Sequence, residues 1–326
     1  MRNMPEYDFG AFYEAIMSRL EGIEKPIRKV QLHEGLDSHY DPELLSLFHE
    51  NAEAMIPKMG FIWRYHISGN DPGSIYKLFS RPPEPENLKA RLKKSSRKKW
   101  YKKEKIGLIF NGAIDNNLLD EGPMAYITLI NEGFEEVYVL DNHPNSSLRF
   151  PVDDVATRAS FEIVMNYLSK RLRNGDILFC YFGGHNSRRD FLKDPAIPVW
   201  GNSKTDFDFI LAREVKESLD KINSSAKILF FPGCYGARFA SRFGEKNNVG
   251  ISASSGNGDA YGSEFPIYFF KAFYDKSGDF DGDGRVSIGD AFWYAAMNDQ
   301  HVMHKGLQEP QIFYEDLNPM TTYLDV

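Results

Sequence analysis

Cysteine is scarce: Cys180 and Cys234 are the only two in 326 residues. That excludes a disulfide framework, and nothing in cysteine usage points to an oxidising compartment. No run of about 18 uncharged apolar residues occurs, so no membrane-spanning helix is expected. The opening residues, MRNMPEYDFGAFYEAIM, lack the apolar centre of an export signal, and a cytoplasmic protein without a membrane partner is the expectation. Basic excess is missing too. The 39 Lys and Arg stand against 46 Asp and Glu, a net charge of −7, which disfavours a general nucleic-acid binder. No internal repeat is visible. What the chain does have is apolar content: at 42% hydrophobic and 26% charged it can build a substantial core.

The organisation changes near residue 104. In the first part, Phe9, Phe12, Ile16 and Leu20 recur with helical spacing, and a second helix is expected from Pro42 to Met55, capped by Asp41. Turn-rich stretches follow, then a basic run from Lys89 to Lys105 that reads as a linker or a solvated helix. Residues 1–104 are therefore expected to be a mostly helical region with a basic linker, suited to a pro-region or regulatory cap. From Ile106 the pattern alternates. Strands are expected at Ile106–Phe110, Glu136–Leu140, Asp176–Phe182, Ala226–Phe231 and Val249–Ala253. Helices are expected at Glu121–Asn131, Val155–Leu172 and Asp206–Ile222, and just after Cys234. Such alternation predicts an α/β domain over 105–326, a predominantly parallel sheet with helices on both faces. Sheets of this kind hold their ligands at the carboxyl ends of strands.

Two of those ends carry chemistry. Ile177-Leu178-Phe179-Cys180-Tyr181-Phe182 runs into Gly183-Gly184-His185, and Ile228-Leu229-Phe230-Phe231 runs into Pro232-Gly233-Cys234-Tyr235-Gly236. A thiol attacks as its thiolate, and a neighbouring imidazole can take its proton. The His stands about 50 residues ahead of the Cys, the spacing of one group of cysteine proteases. If the two strands are neighbours, the two side chains can meet. A helix beginning after Cys234 would favour the thiolate through its dipole. The backbone N–H groups of Cys234 and Asn186 are candidates for an oxyanion hole. Cys180, inside an apolar run, is assigned to the core, and His143, His301 and His304 lie outside this pattern.

The segments YFGGH and FFPGCYGARF resemble the His block and the Cys block of the caspase-like cysteine peptidases, the clan of caspases, metacaspases, legumains, gingipains and clostripain. The legumain-like branch is the most similar. The resemblance extends over Ile106 to about Asp299, through KIGLIFNGAIDNN, DDVATRASFEIVMNYLSKRLRNGD and GISASSGNGDAYGSEFPIYFFKAF. It implies a cysteine endopeptidase acting on peptide or protein substrates. Cys234 would be the nucleophile, His185 the general acid and base, and Asn111 the group orienting the imidazole. The loop from Ser254 to Glu264, with Ser255 and Asp259, would bind substrate. The chain departs from the pattern at Asn186, where the family has Gly, at Pro232, where it has an acidic residue, and at Gly236-Ala237, where it has Ser-Gly. These departures keep open a catalytically inactive, calcium-binding interaction module. A peptide ligase or transpeptidase is a third reading, because an amine can replace water in attacking an acyl-enzyme.

Asp279-Phe280-Asp281-Gly282-Asp283-Gly284-Arg285-Val286-Ser287-Ile288-Gly289-Asp290 matches a twelve-residue calcium loop. Asp279, Asp281 and Asp283 fill positions one, three and five, and Gly284 makes the turn at six. The Arg285 carbonyl serves seven, Ser287 serves nine, and Asp290 stands at twelve in place of the usual Glu. Calcium is the expected cofactor, stabilising or switching on the substrate site through the closing helix Phe265–Tyr274 and the helix Ala291–Met297.

Overall fold

A computed structural model of the chain describes residues 88, 91–92, 103–112, 121–142, 151–186, 194–200, 207–261, 264–303 and 308–325. The helices expected at 9–20 and 42–55, most of the basic run, and His143 and His304 lie outside these residues.

In chain order the elements are β1 (Lys105–Asn111), α1 (Glu121–Asn131), β2 (Glu136–Asp141), α2 (Arg158–Arg171), β3 (Ile177–Gly183), β4 (Ala196–Trp200), β5 (Phe207–Leu211) and α3 (Ala212–Leu219). Then follow β6 (Ala226–Phe231), α4 (Gly236–Ala240), β7 (Asn248–Ser252), α5 (Glu264–Tyr274), α6 (Ile288–Asn298), α7 (Gln300–Met303) and β8 (Gln311–Tyr314). Six strands form one sheet in the order β2-β1-β3-β6-β7-β8. All neighbours pair in parallel except β7 and β8, so the sheet is mixed.

The central strands read as unbroken apolar runs because both of their faces are covered. Consecutive residues of β6 show this. Phe231 stacks on Phe182 at 4.9 Å and on Phe239 and Phe243 at 5.2 and 5.4 Å. Phe230 points the other way, to Tyr181 at 5.6 Å and to Phe269 of α5 at 4.8 Å. On the first face α2 adds Phe161, Val164 and Leu168, and α3 adds Val215 and Leu219. α2 begins on a reciprocal cap: Ser160 N–H donates to Thr157 Oγ1 at 3.1 Å and Thr157 N–H to Ser160 Oγ at 3.0 Å. Lys170 and Arg171 lie in its last turn, against the negative end of the dipole. The last strand before the thiol is thus gripped by aromatic rings on both sides.

Three expectations change. The helix read over Asp206–Ile222 is a strand followed by a helix. Phe207-Asp208-Phe209-Ile210-Leu211 pairs antiparallel with β4, and the helix starts at Ala212. The Arg158 guanidinium ties this hairpin to α2 by donating to Asp208 at 2.9 Å, to Glu214 at 2.7 Å and to the Phe209 carbonyl. β8 is an additional strand that lines the β7 edge. Where it is described, the start of the basic run is helical and not wholly solvated: Leu88 and Leu92 are buried in the main core. Arg91 pairs with Asp153, donates to the Val137 carbonyl at 3.0 Å and lies 5.0 Å over the Tyr138 ring.

Among the described residues the outer edge of β2 is covered by a single bridge, Leu140 to Asp154, and by side chains, without a further strand. The Asp153 carboxylate accepts Val139 N–H at 2.8 Å, and Asp153 N–H donates to the Val139 carbonyl at 2.8 Å.

Candidate active site

β1, β3 and β6 lie side by side, and the sheet order reverses direction between β1 and β3. At such a switch point a crevice opens beyond the carboxyl ends of the strands. The ends meeting there carry Asn111 from β1, His185 just past β3, and Cys234 just past β6. Asn111 is level with Gly183, and Tyr181 with Phe230. The chain leaves β3 through Gly184, whose φ of 110° suits glycine. A Cβ on Gly233 would collide with the Gly184 carbonyl oxygen and stand 2.9 Å from Asn186 Nδ2. The segment in front of the thiol therefore packs directly on the segment that carries the imidazole. His185 is exposed and Cys234 is half-buried.

The turn after β6 is tightly specified. Tyr235 is left-handed, with a φ of 57°, a conformation that disfavours a side chain with Cβ. Gly236 N–H donates to the Gly233 carbonyl at 3.1 Å and to Ser254 Oγ at 3.0 Å. Ser254 Oγ in turn donates to the Gly233 carbonyl at 2.9 Å. Ser254 is fully buried, so this member of the expected substrate loop holds the cysteine turn. Ser255 is half-buried and Asp259 is exposed.

The thiol sits under that loop. Ala260 N–H donates to Cys234 Sγ at 3.3 Å. Burial pushes the Cys234 thiol pKa up, the Ala260 N–H counters it, and the nearby Asp259 carboxylate raises it further. The expected pull of a helix dipole toward thiolate has little to work with, because α4 is only five residues long. Tyr235 N–H fixes the loop to the Gly258 carbonyl at 2.9 Å, and Arg238 donates to Asn257 Oδ1 at 2.7 Å and to the Gly256 carbonyl. The thiol is thus half-buried under the loop, in surroundings that favour its protonated form.

Asn111 and Asn186 are both buried. Asn111 Nδ2 donates to Asp141 Oδ2 at 3.1 Å, fixing its side chain between β2 and the end of β3. The Asn186 side-chain amide has no hydrogen-bond partner among the described residues. It lies against Gly233, next to the thiol-bearing residue.

The acidic loop precedes α6. Carboxylate oxygens of Asp279, Asp281 and Asp283 lie within 4.8 Å of one another. Gly282 and Gly284 are left-handed, with φ of 76° and 84°. Asp279 accepts Gly282 N–H at 2.8 Å and Gly284 N–H at 2.9 Å, curling the loop around its own carboxylates. Asp290 closes a reciprocal cap with Ser287, accepting Ser287 N–H at 3.0 Å while its own N–H donates to Ser287 Oγ at 3.0 Å. Burial raises the Asp290 pKa, and Asp281 and Asp279 add to it by repulsion. The Arg285 side chain turns away to Asp325 at 2.6 Å, leaving its carbonyl as the only group it could offer. An all-oxygen donor set on a loop of this curvature fits calcium.

Two features had no signal in the sequence. One is the Ala260 contact on the sulfur, since burial is not written in residue order. The other is a mixed cluster of Glu264, Asp299 and His301 at the foot of the same loop. Among the described residues no helix is long and apolar enough to cross a membrane. Comparison with known proteins matches this chain to no family model and to no curated sequence.

Proposed function

We propose that the chain is a cysteine endopeptidase of the caspase-like type, with Cys234 as nucleophile and His185 as general acid and base. The observation that carries this reading is the packing of Gly233 on Gly184. It joins the carboxyl ends of two adjacent parallel strands, one ending in a thiol and the other in an imidazole. His185 takes the thiol proton as the sulfur attacks the scissile carbonyl carbon, and a tetrahedral oxyanion forms. The backbone N–H groups of Cys234 and Asn186 supply donors for that oxygen, beside an Asn186 side-chain amide that has no partner among the described residues. The proton passes to the leaving amine, the C–N bond breaks, and an acyl-enzyme remains. Water then gives a proton to His185 as its oxygen attacks the acyl carbon, the C–S bond breaks to release the acid, and the proton returns to the sulfur. Asn111 positions the end of β3. The peptide or protein substrate must lift the 254–261 loop, which makes the raised thiol a resting state and not the reacting one.

Calcium belongs to the same proposal. Asp279, Asp281, Asp283, the Arg285 carbonyl, Ser287 and Asp290 would hold it, and the ion would fix the start of α6 against α5. Turnover of a labelled peptide library by the wild type, and its loss in Cys234→Ala with the fold intact, tests the reading. Equal turnover by that variant refutes it.

The half-buried thiol with its raised pKa favours a second reading, a non-enzymatic module that uses the same crevice for binding. The two part on a single result: peptides bound but never cut, in the presence of calcium, select the module.

A further inference from the structure

At the foot of the loop over Cys234, three side chains from different elements converge. Glu264 opens α5, Asp299 follows α6, and His301 lies in α7. One donor atom from each lies within 4.8 Å of the others. His301 Nδ1 is 3.4 Å from Asp299 Oδ1 and 3.8 Å from Glu264 Oε2. These separations exceed those of good N–H···O hydrogen bonds. They match the spacing of donors around one ion, since ligands bound at about 2.1 Å at tetrahedral angles stand about 3.4 Å apart. The Nδ1 atom is buried and has no hydrogen-bond partner among the described residues.

Asp299 is fully buried beside a second carboxylate, and among the described residues no lysine or arginine pairs with either. Such a pair of acids is costly unless a cation neutralises it. The donors are also held in place, as ligands need to be. Gln308 Nε2 donates to Asp299 Oδ2 at 2.9 Å, Gln300 N–H donates to Glu264 Oε2 at 3.1 Å, and the Tyr261 ring stacks on the imidazole with planes 15° apart.

We propose that Glu264, Asp299 and His301 form a binding site for one divalent transition-metal ion of the zinc class, separate from the acidic loop. One imidazole and two carboxylates suit such an ion, whereas calcium takes oxygen donors. The site reaches the thiol through the chain. Gln308 Oε1 accepts Tyr261 N–H at 2.6 Å, and the residue before Tyr261 is Ala260, which covers the sulfur. The ion braces the loop over Cys234.

The test uses the full chain as Cys234→Ala, without a histidine tag and saturated with calcium, so that neither the Cys234 thiol nor the acidic loop competes. Cobalt(II) is the probe, followed by visible absorption and calorimetry. The expected result is one equivalent bound, with amide exchange at Ala260 and Tyr261 slowed. Adding His301→Gln weakens binding by at least about tenfold, with the melting temperature before metal addition unchanged. Adding Asp281→Asn leaves cobalt binding as it was. Glu264→Gln repeats the loss if His301→Gln does not fold. No saturable binding, or undiminished binding in a folded His301→Gln or Glu264→Gln protein, overturns the site. Binding that leaves the two amides unchanged overturns the brace.

Discussion

Replacing Gly233 by alanine probes the junction on which the proposed chemistry depends. The added methyl would meet the Gly184 carbonyl oxygen, Asn186 Nδ2 at 2.9 Å and Asn186 Cγ at 3.1 Å. Carbon atoms settle at about 3.5–4.0 Å, so the two strand ends must part by the better part of an ångström. Neither side gives easily, because one obstacle is backbone and the other is a buried amide. Overpacking of this kind costs about 1–3 kcal/mol. For a domain of this size that lowers the melting temperature by about 2–12 °C. Misplacing reacting groups by about 1 Å costs about a hundredfold in rate, so peptide turnover should fall by about that factor. Gly256→Ala is the matched control in the same site. Its methyl would meet only the flexible Arg238 side chain, with Cγ at 3.3 Å, and should change little. Thermal unfolding and turnover of the two variants side by side decide the matter. A Gly233→Ala protein that melts and turns over like the wild type would show that the strand ends are not packed as described.

Three further outcomes follow from the same structure. The raised thiol pKa means that thiolate accumulates only at higher pH, so Cys234 alkylation should still be climbing where a free thiol has levelled off; Asp259→Asn removes a raising charge and should move the rate–pH curve to lower pH, read with iodoacetamide and mass spectrometry. Calcium at about a hundred times its dissociation constant should stabilise the chain by about 2.7 kcal/mol, and Asp281→Asn should remove most of that rise in melting temperature, with an unchanged rise counting against the loop. Phe231→Ala empties the centre of a ring stack and should cost about 3–5 kcal/mol in denaturant unfolding.

Much of the sheet was legible because its central strands are buried on both faces and therefore spell continuous apolar runs. Ala226–Phe231 and Glu121–Asn131 have the limits the sequence predicts. The β4–β5 hairpin was not legible. Phe207–Leu211 runs without a break into Ala212–Leu219, so nothing local separates strand from helix, and the division depends on Arg158 from a distant element. β8 is four residues long, and its pairing is set by the edge that β7 offers. At the site, residue order brought out His185, Cys234 and the acidic loop, whose spacings are local. It could not show that Ser254 turns inward, that Ala260 sits on the sulfur, or that His301 meets a glutamate from another helix. Those are products of folding, and they govern whether the thiol is poised or held back.

Among the described residues the flank of the sheet at β2 is closed by the Arg91 and Asp153 side chains together with the backbone of Asp153 and Asp154. The carboxylate takes Val139 N–H, the guanidinium takes the Val137 carbonyl, and the backbone of Asp153 and Asp154 takes the Val139 carbonyl and Asp141 N–H, the groups that a visiting peptide would need. A second molecule therefore cannot lengthen the sheet from that side. Asp153→Ala would free Val139 N–H at that border, and the same substitution would loosen Arg91 and with it the stretch of chain that leads into the core.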